Sequence, residues 1–283
     1  MKDSFELPLT DDAITTFIRD GAICLRSVVD AGTREKLCAA IERDILDPGP
    51  FFHNYQIEKG RFHGNSLCWP RHAEFRDYVL HSSLPQLAAA LMGARKLNLL
   101  YDQLFVKEPG TEAPTPWHQD LPVWPLEGDQ IVSFWLALDP VTAASGAVEY
   151  VRSSHRWNLL FQPYSFAKSS IELKIDPRFE PMPDIDAMRD QLDIATWEMQ
   201  PGDVVAFTAR TIHGAGGNRT AATRRRGYSV RYTGDDVTYQ PRGSFVPALN
   251  NADLRPGDKL DSKLFPVVWY HGCAVSPAMA EAK

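Results

Sequence analysis

The sequence predicts a mainly β protein with flanking helices, in which a helical N-terminal part precedes a two-sheet jelly roll. Two observations support this fold class. Up to about residue 95 most apolar residues recur at helical spacing, whereas from Leu97 onward short runs of β-branched and aromatic residues alternate with turns. The connections between these runs are long, which suits two packed antiparallel sheets better than a parallel α/β sheet.

Length and composition favour a single domain over residues 1–283. A chain of 283 residues with 44% hydrophobic content can form one substantial core. Within it we expect a helical part over about residues 1–95, a jelly-roll core over about 96–240 and a C-terminal extension over about 241–283.

Charge and cysteine content restrict the possible partners and compartment. The net charge of −6 and the pI near 5.8 argue against nucleic-acid and anionic-membrane partners, which need a concentrated basic face. The four scattered cysteines form no paired motif, and no window approaches the ~18 apolar residues of a membrane-spanning helix. The N-terminus lacks the apolar stretch of a signal peptide. We therefore expect a cytoplasmic protein with a small-molecule partner, while its oligomeric state stays open.

The N-terminal part contains two clear helix signals with a strand between them. Thr10 is a candidate N-cap for a helix that runs to Arg19 and stops at Gly21. Residues 22–29 have the composition of a strand, and residues 33–45 carry apolar side chains at helical spacing. The aromatic-rich segment 48–70 that follows is predicted to be a loop, which either packs on its own scaffold or covers a substrate.

The predicted jelly-roll strands differ from the helical part in their period. They cover residues 97–107, 117–124, 130–138, 147–152, 204–208 and 227–233. The insert 157–197 between the fourth and fifth of these strands carries proline and acid clusters and is too long for a turn. We expect it to form a second wall of a substrate pocket.

Two histidines and one aspartate form a candidate metal site. His118 and Asp120 lie two residues apart in a predicted strand, so both side chains would point to one face. With the downstream His213 they make two imidazoles and one carboxylate, the set that suits non-haem Fe(II) with open coordination positions. A glycine-rich turn follows His213, and an arginine then begins a β-branched and aromatic run, as a dicarboxylate site beside iron would require.

At these residues the sequence resembles the phytanoyl-CoA dioxygenase family of Fe(II)- and 2-oxoglutarate-dependent oxygenases. The resemblance covers roughly residues 10–235. It rests on the order of segments 101–107, 117–120, 132–138, Gly146, 153–155, 201–203 and 213–225.

The resemblance implies a double-stranded β-helix of the cupin-like type and a cofactor set of Fe(II), 2-oxoglutarate and O2. His118, Asp120 and His213 would then be the metal ligands and the catalytic residues. Arg225 would pair with the distal carboxylate of 2-oxoglutarate, and Gln103 and Trp135 fall where family members contact this cosubstrate.

Strand alternation adds further cosubstrate residues. Gln103, Ser133 and Arg225 are polar positions on otherwise apolar strands and need partners. The segment after His213 is about one residue longer than in the family pattern, so Arg224 competes with Arg225. Because Arg225 shares its parity with Ser229, we assign the cosubstrate to Arg225.

The expected activity is hydroxylation of a small apolar or aromatic substrate, with release of succinate and CO2. Natural-product tailoring and small-molecule catabolism both fit, and desaturation, cyclisation and epimerisation remain related outcomes. Asp120 argues against halogenation, which needs a small residue in place of the carboxylate. The alternatives are a catalytically silent jelly-roll binding protein and a zinc-dependent or cofactor-independent cupin-like enzyme.

Overall fold

The computed structural model describes residues 9–54, 59–163, 176–242, 246–250 and 253–271. The helices within these residues are α1 (Asp11–Asp20), α2 (Ala31–Leu46), α3 (Ala73–His81) and α4 (Leu84–Met92). The strands are β1 (Ala22–Leu25), β2 (Phe52–Asn54), β3 (Phe62–Ser66), β4 (Lys96–Lys107), β5 (Thr115–His118), β6 (Leu126–Glu127), β7 (Ile131–Ala137), β8 (Val148–Val151), β9 (Ile194–Thr196), β10 (Val204–Thr208), β11 (His213–Ala215), β12 (Arg225–Thr233), β13 (Thr238–Tyr239) and β14 (Val267–Tyr270).

The strands form two main antiparallel sheets. The larger sheet has the order β1-β10-β7-β12-β4-β3-β2, with β14 also paired to β4, and the smaller has the order β5-β11-β8-β9. Side chains of the two sheets meet in one apolar cluster, in which Trp135 and Phe207 of the larger sheet pack with Tyr150 of the smaller. This two-sheet arrangement confirms the predicted jelly-roll fold class.

The helices cover the outer face of the larger sheet. Phe17, Ile41 and Phe75 from three helices pack in one core with Phe134 of β7 and Tyr228 of β12. Because side chains alternate along a strand, the inner face of the same sheet is left for other residues. No helix in the described part of the chain is long and apolar enough to cross a membrane.

The first helix and strand follow the sequence signals closely. The Thr10 side chain accepts a hydrogen bond from the amide of Ala13, and Gly21 ends α1 in the left-handed conformation with φ 79°. Strand β1 is shorter than predicted because Ser27 has φ 52° and donates its amide to Asp203. This turn stops the ladder with β10 after Leu25.

The prediction of a loop over residues 48–70 was wrong. Strands β2 and β3 form an antiparallel pair, and β3 continues the larger sheet beside β4. All five residues of β3 are buried. Its sequence Phe-His-Gly-Asn-Ser has little intrinsic strand preference, so the strand depends on its pairing with β4.

Three other predicted elements differ from the structure. The strand predicted over residues 117–124 ends at His118, and a 3-10 turn (Leu121–Val123) with Pro122 in its first positions follows. The glycine-rich turn predicted after His213 contains strand β11. In the C-terminal region, which the sequence left unpatterned, β14 pairs with β4.

A buried carboxylate joins the helices to the edge of the larger sheet. Asp44 of α2 is fully buried, and the Asn65 amide of β3 donates to its two oxygens at 2.9 and 3.0 Å. His63 and His72 each place Nε2 3.2 Å from one of these oxygens. Asp44 therefore ties α2 to β3 and to the residue that precedes α3.

We expect Asp44→Ala to lower the free energy of unfolding by about 3 kcal/mol, since it leaves buried donors unsatisfied. Urea unfolding followed by circular dichroism measures the loss. Asp47→Ala at the end of the same helix is the control, because that carboxylate is 88% exposed and its ion pair with Arg71 contributes at most about 1 kcal/mol. Equal unfolding midpoints for the two variants would contradict this role of Asp44.

Candidate functional site

The three candidate metal ligands meet where β5 and β11 pair. His118 is the last residue of β5 and lies opposite His213, the first residue of β11. Their ring centroids are 4.1 Å apart. One potential ligand atom from each of His118, Asp120 and His213 lies within 4.8 Å of the others, and all three residues are buried.

The position of Asp120 has a different cause from the one that the sequence suggested. Asp120 is not in a strand: its φ and ψ are −75° and −42°, and its carbonyl accepts the amide of Val123 in the 3-10 turn. The turn after His118 therefore brings the carboxylate beside the imidazole, where strand alternation had been expected to do so.

The hydrogen bonds of the two histidines orient them for a metal. His118 Nδ1 lies 2.8 Å from the carbonyl of Pro116, and His213 Nδ1 lies 3.0 Å from that of Thr211. Because a carbonyl only accepts, each Nδ1 carries the proton and donates. Each neutral ring then has its lone pair on Nε2, and these atoms lie 3.6 and 3.9 Å from Asp120 Oδ1.

Electrostatics keep this group in the state that binds a cation. Burial alone would raise the pKa of the Asp120 carboxyl, but the His118 hydrogen bond and the Arg231 charge hold that pKa well below its usual range. Burial lowers the pKa of His213 to about 3, so its imidazole is neutral. Both Asp120 separations are below about 4.2 Å, twice a usual metal–ligand distance, so the set fits one metal ion.

The ligand candidates open onto a cavity of about 160 Å³ between the two sheets. Most of its wall is apolar or aromatic, and the arginines among the lining residues, Arg225 and Arg231, both come from β12. Its lining residues include Tyr101, Gln103, Phe105, Trp124, Trp135, Tyr150, Phe207, Arg225, Ser229 and Arg231.

Arg225 is buried at one end of the cavity, with 2% of its surface exposed. Its Nη1 donates to the Gly146 carbonyl at 3.1 Å, and its guanidinium carbon lies 5.4 Å from the centre of the Trp135 ring. A Cβ at Gly227 would lie only 2.3 Å from the Trp135 ring. The glycine therefore allows Trp135 to lie against β12 and to support Arg225.

The neighbouring arginines point out of the cavity. Arg224 pairs with Glu42 and Glu108, and Arg226 pairs with Asp139 and Glu42. Residues on either side of Arg225 in a strand must face the opposite side of the sheet. The register thus favours Arg225 over Arg224, as parity with Ser229 had indicated.

Lys107 provides a second buried basic side chain beside Arg225. The two residues are direct partners in the β4–β12 ladder, and Lys107 Nζ donates to the Gly216 carbonyl at 2.8 Å. Burial and then the Arg225 charge lower the pKa of Lys107 to about 6. Burial also lowers the pKa of Arg225 to about 10, so this end of the cavity favours an anion.

Several buried polar atoms near Arg225 have no hydrogen-bond partner among the described residues. These atoms are Arg225 Nε, Ser229 Oγ and Tyr150 Oη, and all three residues line the cavity. Each unpaired buried donor costs about 1–3 kcal/mol, which a bound acceptor recovers. A carboxylate at this position fits the donor set.

Two of the predicted cosubstrate residues lie nearer the metal ligands. The Ser133 hydroxyl donates to Asp120 Oδ2 at 3.1 Å, so its contact is with the carboxylate and not with the cavity. Gln103 Oε1 accepts from Arg231 Nη2 at 3.0 Å. Gln103 lines the cavity at the Arg231 side.

The two segments expected to cover a substrate differ in their contacts. His53, Phe62 and Ser66 of the first segment line the cavity, whereas residues 55–58 lie outside the described part of the chain. The described residues of the insert 157–197 line no part of it, and Phe161 and Ile185 pack instead on Ile212. Residues 164–175 of the insert lie outside the described residues.

Tyr150 and Arg231 are the site residues that sequence reasoning gave least weight. The Tyr150 ring stacks on His213 with centroids 5.9 Å apart, and Arg231 Nε lies 3.7 Å from Asp120 Oδ2. The parity of Arg231 with Arg225 pointed to a shared face. No sequence signal connected the β8 tyrosine to the histidine.

Known proteins resemble this chain in sequence. A curated relative from Caenorhabditis elegans, a probable phytanoyl-CoA dioxygenase, is 30% identical over 167 residues, which are 57% of this chain and 51% of that protein. Dioxygenase olcK from Penicillium canescens is 23% identical over 260 residues, which are 86% of this chain and 74% of that protein. The chain thus spans about half the length of the first of these relatives.

A solved structure resembles the whole fold. The non-haem α-ketoglutarate-dependent carbocyclase SnoK from nogalamycin biosynthesis has a TM-score of 0.74 at 26% identity, covering 92% of this chain and 97% of SnoK. EctD from S. alaskensis, solved with 2-oxoglutarate and 5-hydroxyectoine, has a TM-score of 0.69 at 17% identity, covering 90% and 87%. The second likeness concerns the fold alone.

The family model described as Phytanoyl-CoA dioxygenase (PhyH) matches residues 17–227, which include most of the described strands and all three candidate ligands. With this match over most of its length, the chain belongs to the phytanoyl-CoA dioxygenase family.

Proposed function

We propose that this protein is an Fe(II)- and 2-oxoglutarate-dependent oxygenase that oxidises a C–H bond of a small apolar or aromatic substrate. The observation that carries the proposal is one cavity lined both by the buried His118, Asp120 and His213 group and by the buried Arg225, whose ladder partner Lys107 is also buried. A metal site and an anion site in the same cavity suit a cosubstrate that binds iron at one end and a cation at the other.

The metal ligands are assigned from their geometry. His118 and His213 offer Nε2, because Nδ1 of each is held by a backbone carbonyl, and Asp120 offers Oδ1. Ser133 fixes the other carboxylate oxygen and so orients Asp120. When bound, Fe(II) supplies the chemistry by which O2 and 2-oxoglutarate give succinate, CO2 and an oxidised substrate.

The distal carboxylate of 2-oxoglutarate is assigned to the cationic end of the cavity. Arg225 supplies positive charge, Lys107 adds to it by taking up a proton when the carboxylate binds, and the hydroxyls of Ser229 and Tyr150 supply unsatisfied donors. The ring of Trp135 packs against the guanidinium group of Arg225. Gln103, on the same inner face of β4, would flank the cosubstrate nearer the metal.

Several oxidative reactions of the substrate are compatible with this site. Hydroxylation is the default proposal, and desaturation, cyclisation and epimerisation use the same site. The similarity to a carbocyclase supports keeping ring closure among the outcomes. The similarity to a carbocyclase of nogalamycin biosynthesis supports a role in natural-product biosynthesis.

A catalytically silent binding protein is the alternative from another class. An intact ligand set beside a preformed anion site argues against it, because a silent binder has no need for either. The unpaired thiols of Cys24, Cys38 and Cys68 support a reducing compartment, and we propose the cytoplasm.

We expect the protein to convert 2-oxoglutarate to succinate slowly without substrate when Fe(II) is supplied. Replacing His118, Asp120 or His213 with Ala should each remove this activity, because two remaining ligands hold the metal poorly. Succinate is measured by mass spectrometry, and His81→Ala, at an exposed position on α3, is the control. Succinate formation retained in all three ligand variants would reject the metal-site assignment.

Arg225→Ala should raise the 2-oxoglutarate concentration needed for half-maximal turnover by more than about a hundredfold. A buried carboxylate that loses its guanidinium partner forfeits on the order of 3 kcal/mol. Arg224→Ala and Arg226→Ala should change it little, because both side chains face out of the cavity. Mn(II) affinity of the apo protein tests whether the metal site survives. A large effect in Arg224→Ala would mean that the β12 register is wrong.

Binding of 2-oxoglutarate at pH 7.5 should take up about one proton. The Lys107 amine has a pKa of about 6, so it is mainly neutral at this pH, and an adjacent carboxylate raises that pKa. Below pH 6 the amine is already protonated, so the uptake should fall.

Calorimetry of the Mn(II)-loaded protein in phosphate and in Tris measures this uptake, because the two buffers differ in ionisation enthalpy. Lys107→Met should abolish the buffer dependence. The same uptake in wild type and Lys107→Met would assign the proton to another group.

A further inference from the structure

We propose that Arg231 is a specificity-determining residue that binds an anionic oxygen of the substrate. The substrate class that follows is a ring-containing, otherwise apolar molecule with a carboxylate or an ionised phenol. This inference rests on the proposed oxygenase function and names the substrate of the same cavity.

Arg231 lies on the inner face of β12, at the far end of the cavity from Arg225. The two residues are six positions apart in one strand, so their Cα atoms are separated by roughly 20 Å. Arg231 is beside the metal ligands, with Nε 3.7 Å from Asp120 Oδ2. A cosubstrate that extends from the metal towards Arg225 therefore leaves the Arg231 end for the substrate.

The Arg231 guanidinium is only partly satisfied. It is 3% exposed, Nη2 donates to Gln103 Oε1 at 3.0 Å, and Nε is too far from Asp120 for a hydrogen bond. Neither Nε nor Nη1 has a hydrogen-bond partner among the described residues. Buried guanidinium donors without an acceptor are costly, so a ligand that supplies an oxygen acceptor is favoured.

The residues around Arg231 indicate which kind of ligand would bear this oxygen acceptor. The guanidinium carbon lies 4.5 Å from the Tyr101 ring centre and 5.6 Å from that of Trp124. These two rings restrict the orientation of the guanidinium group. Val123 and Val246 also line this cavity. An oxygen acceptor attached to an apolar ring would place the acceptor on the arginine and the ring against these walls.

Charge favours an anion over a neutral carbonyl. Asp120 is the only acid among the described residues that line the cavity, and a bound divalent metal would neutralise its charge. The Arg231 charge is then uncompensated in a buried site, where electrostatic interactions are strong.

A purely structural role for Arg231 is the competing explanation. Arg231 could serve only to hold Asp120, which already accepts a hydrogen bond from Ser133. Such a role predicts an effect on metal binding and none on the choice between charged and neutral ligands. The test therefore compares two ligands that differ in charge and little in shape.

The probes are 4-bromobenzoate and (4-bromophenyl)methanol, titrated into protein loaded with Mn(II) and saturating 2-oxoglutarate. We expect wild type to bind the carboxylate at least about tenfold more tightly than the alcohol. Arg231→Met should remove this preference in protein that is kept saturated with Mn(II) and 2-oxoglutarate. Arg224→Met, outside the cavity, should keep the wild-type preference. No preference in wild type, or an unchanged preference in Arg231→Met, overturns the proposal.

Two further measurements keep the outcome decisive. If Arg231→Met does not fold, the bromine signal in a crystal of wild type with 4-bromobenzoate locates the ligand. A carboxylate on Arg231 supports the proposal, and one that displaces 2-oxoglutarate or lies elsewhere overturns it.

Substrate-free succinate formation by the same wild-type sample distinguishes a failure of the oxygenase function from a failure of the role proposed for Arg231. If no succinate forms, the oxygenase function is rejected. If succinate forms but the carboxylate is not preferred, only the role of Arg231 in substrate binding is rejected.

Discussion

The alternation of side chains along β12 is the constraint on which the rest of the structure depends. This strand lies inside the larger sheet, between β7 and β4, so both of its faces are buried. Tyr228 and Val230 join the helical core on one face, whereas Arg225, Ser229 and Arg231 line the cavity on the other. A slip of one residue would exchange the two sets and bury the arginines among the helices, which makes the register strongly determined.

The same constraint explains why much of the site could be predicted from sequence. In a strand that begins at Arg225, the alternation of side chains is enough to place Ser229 on the same face as Arg225. The helical pattern before residue 95 predicts that helices cover the other face of the sheet. Local signals were also sufficient for α1, where Thr10 and Gly21 mark the two ends. The candidate metal ligands were predicted from residue types and order, and these do not depend on exact element boundaries.

What the sequence could not provide depends on contacts between distant segments. Strand β3 has weak local preference and exists because β4 pairs with it and because Asp44 accepts the Asn65 amide. The ladder pairing of Lys107 with Arg225, and the stacking of Tyr150 on His213, arise only when the sheets assemble. Asp120 shows a more subtle limit: the pairing with His118 was predicted from strand geometry, but a turn that contains Pro122 produces it.

The distribution of charge in the cavity gives an order to ligand binding. Without ligands the described lining residues carry two arginines, Arg225 and Arg231, and a single carboxylate, Asp120, while burial keeps His213 and the nearby Lys107 mainly neutral at neutral pH. A divalent metal at Asp120 makes this buried surface still more positive, so a dicarboxylate binds more favourably after the metal than before it. In the proposed arrangement, the cosubstrate neutralises the metal and faces Arg225, and it lies far from the guanidinium of Arg231. The positive charge that remains is thus at the aromatic end of the cavity, where a substrate must place the bond to be oxidised next to the metal.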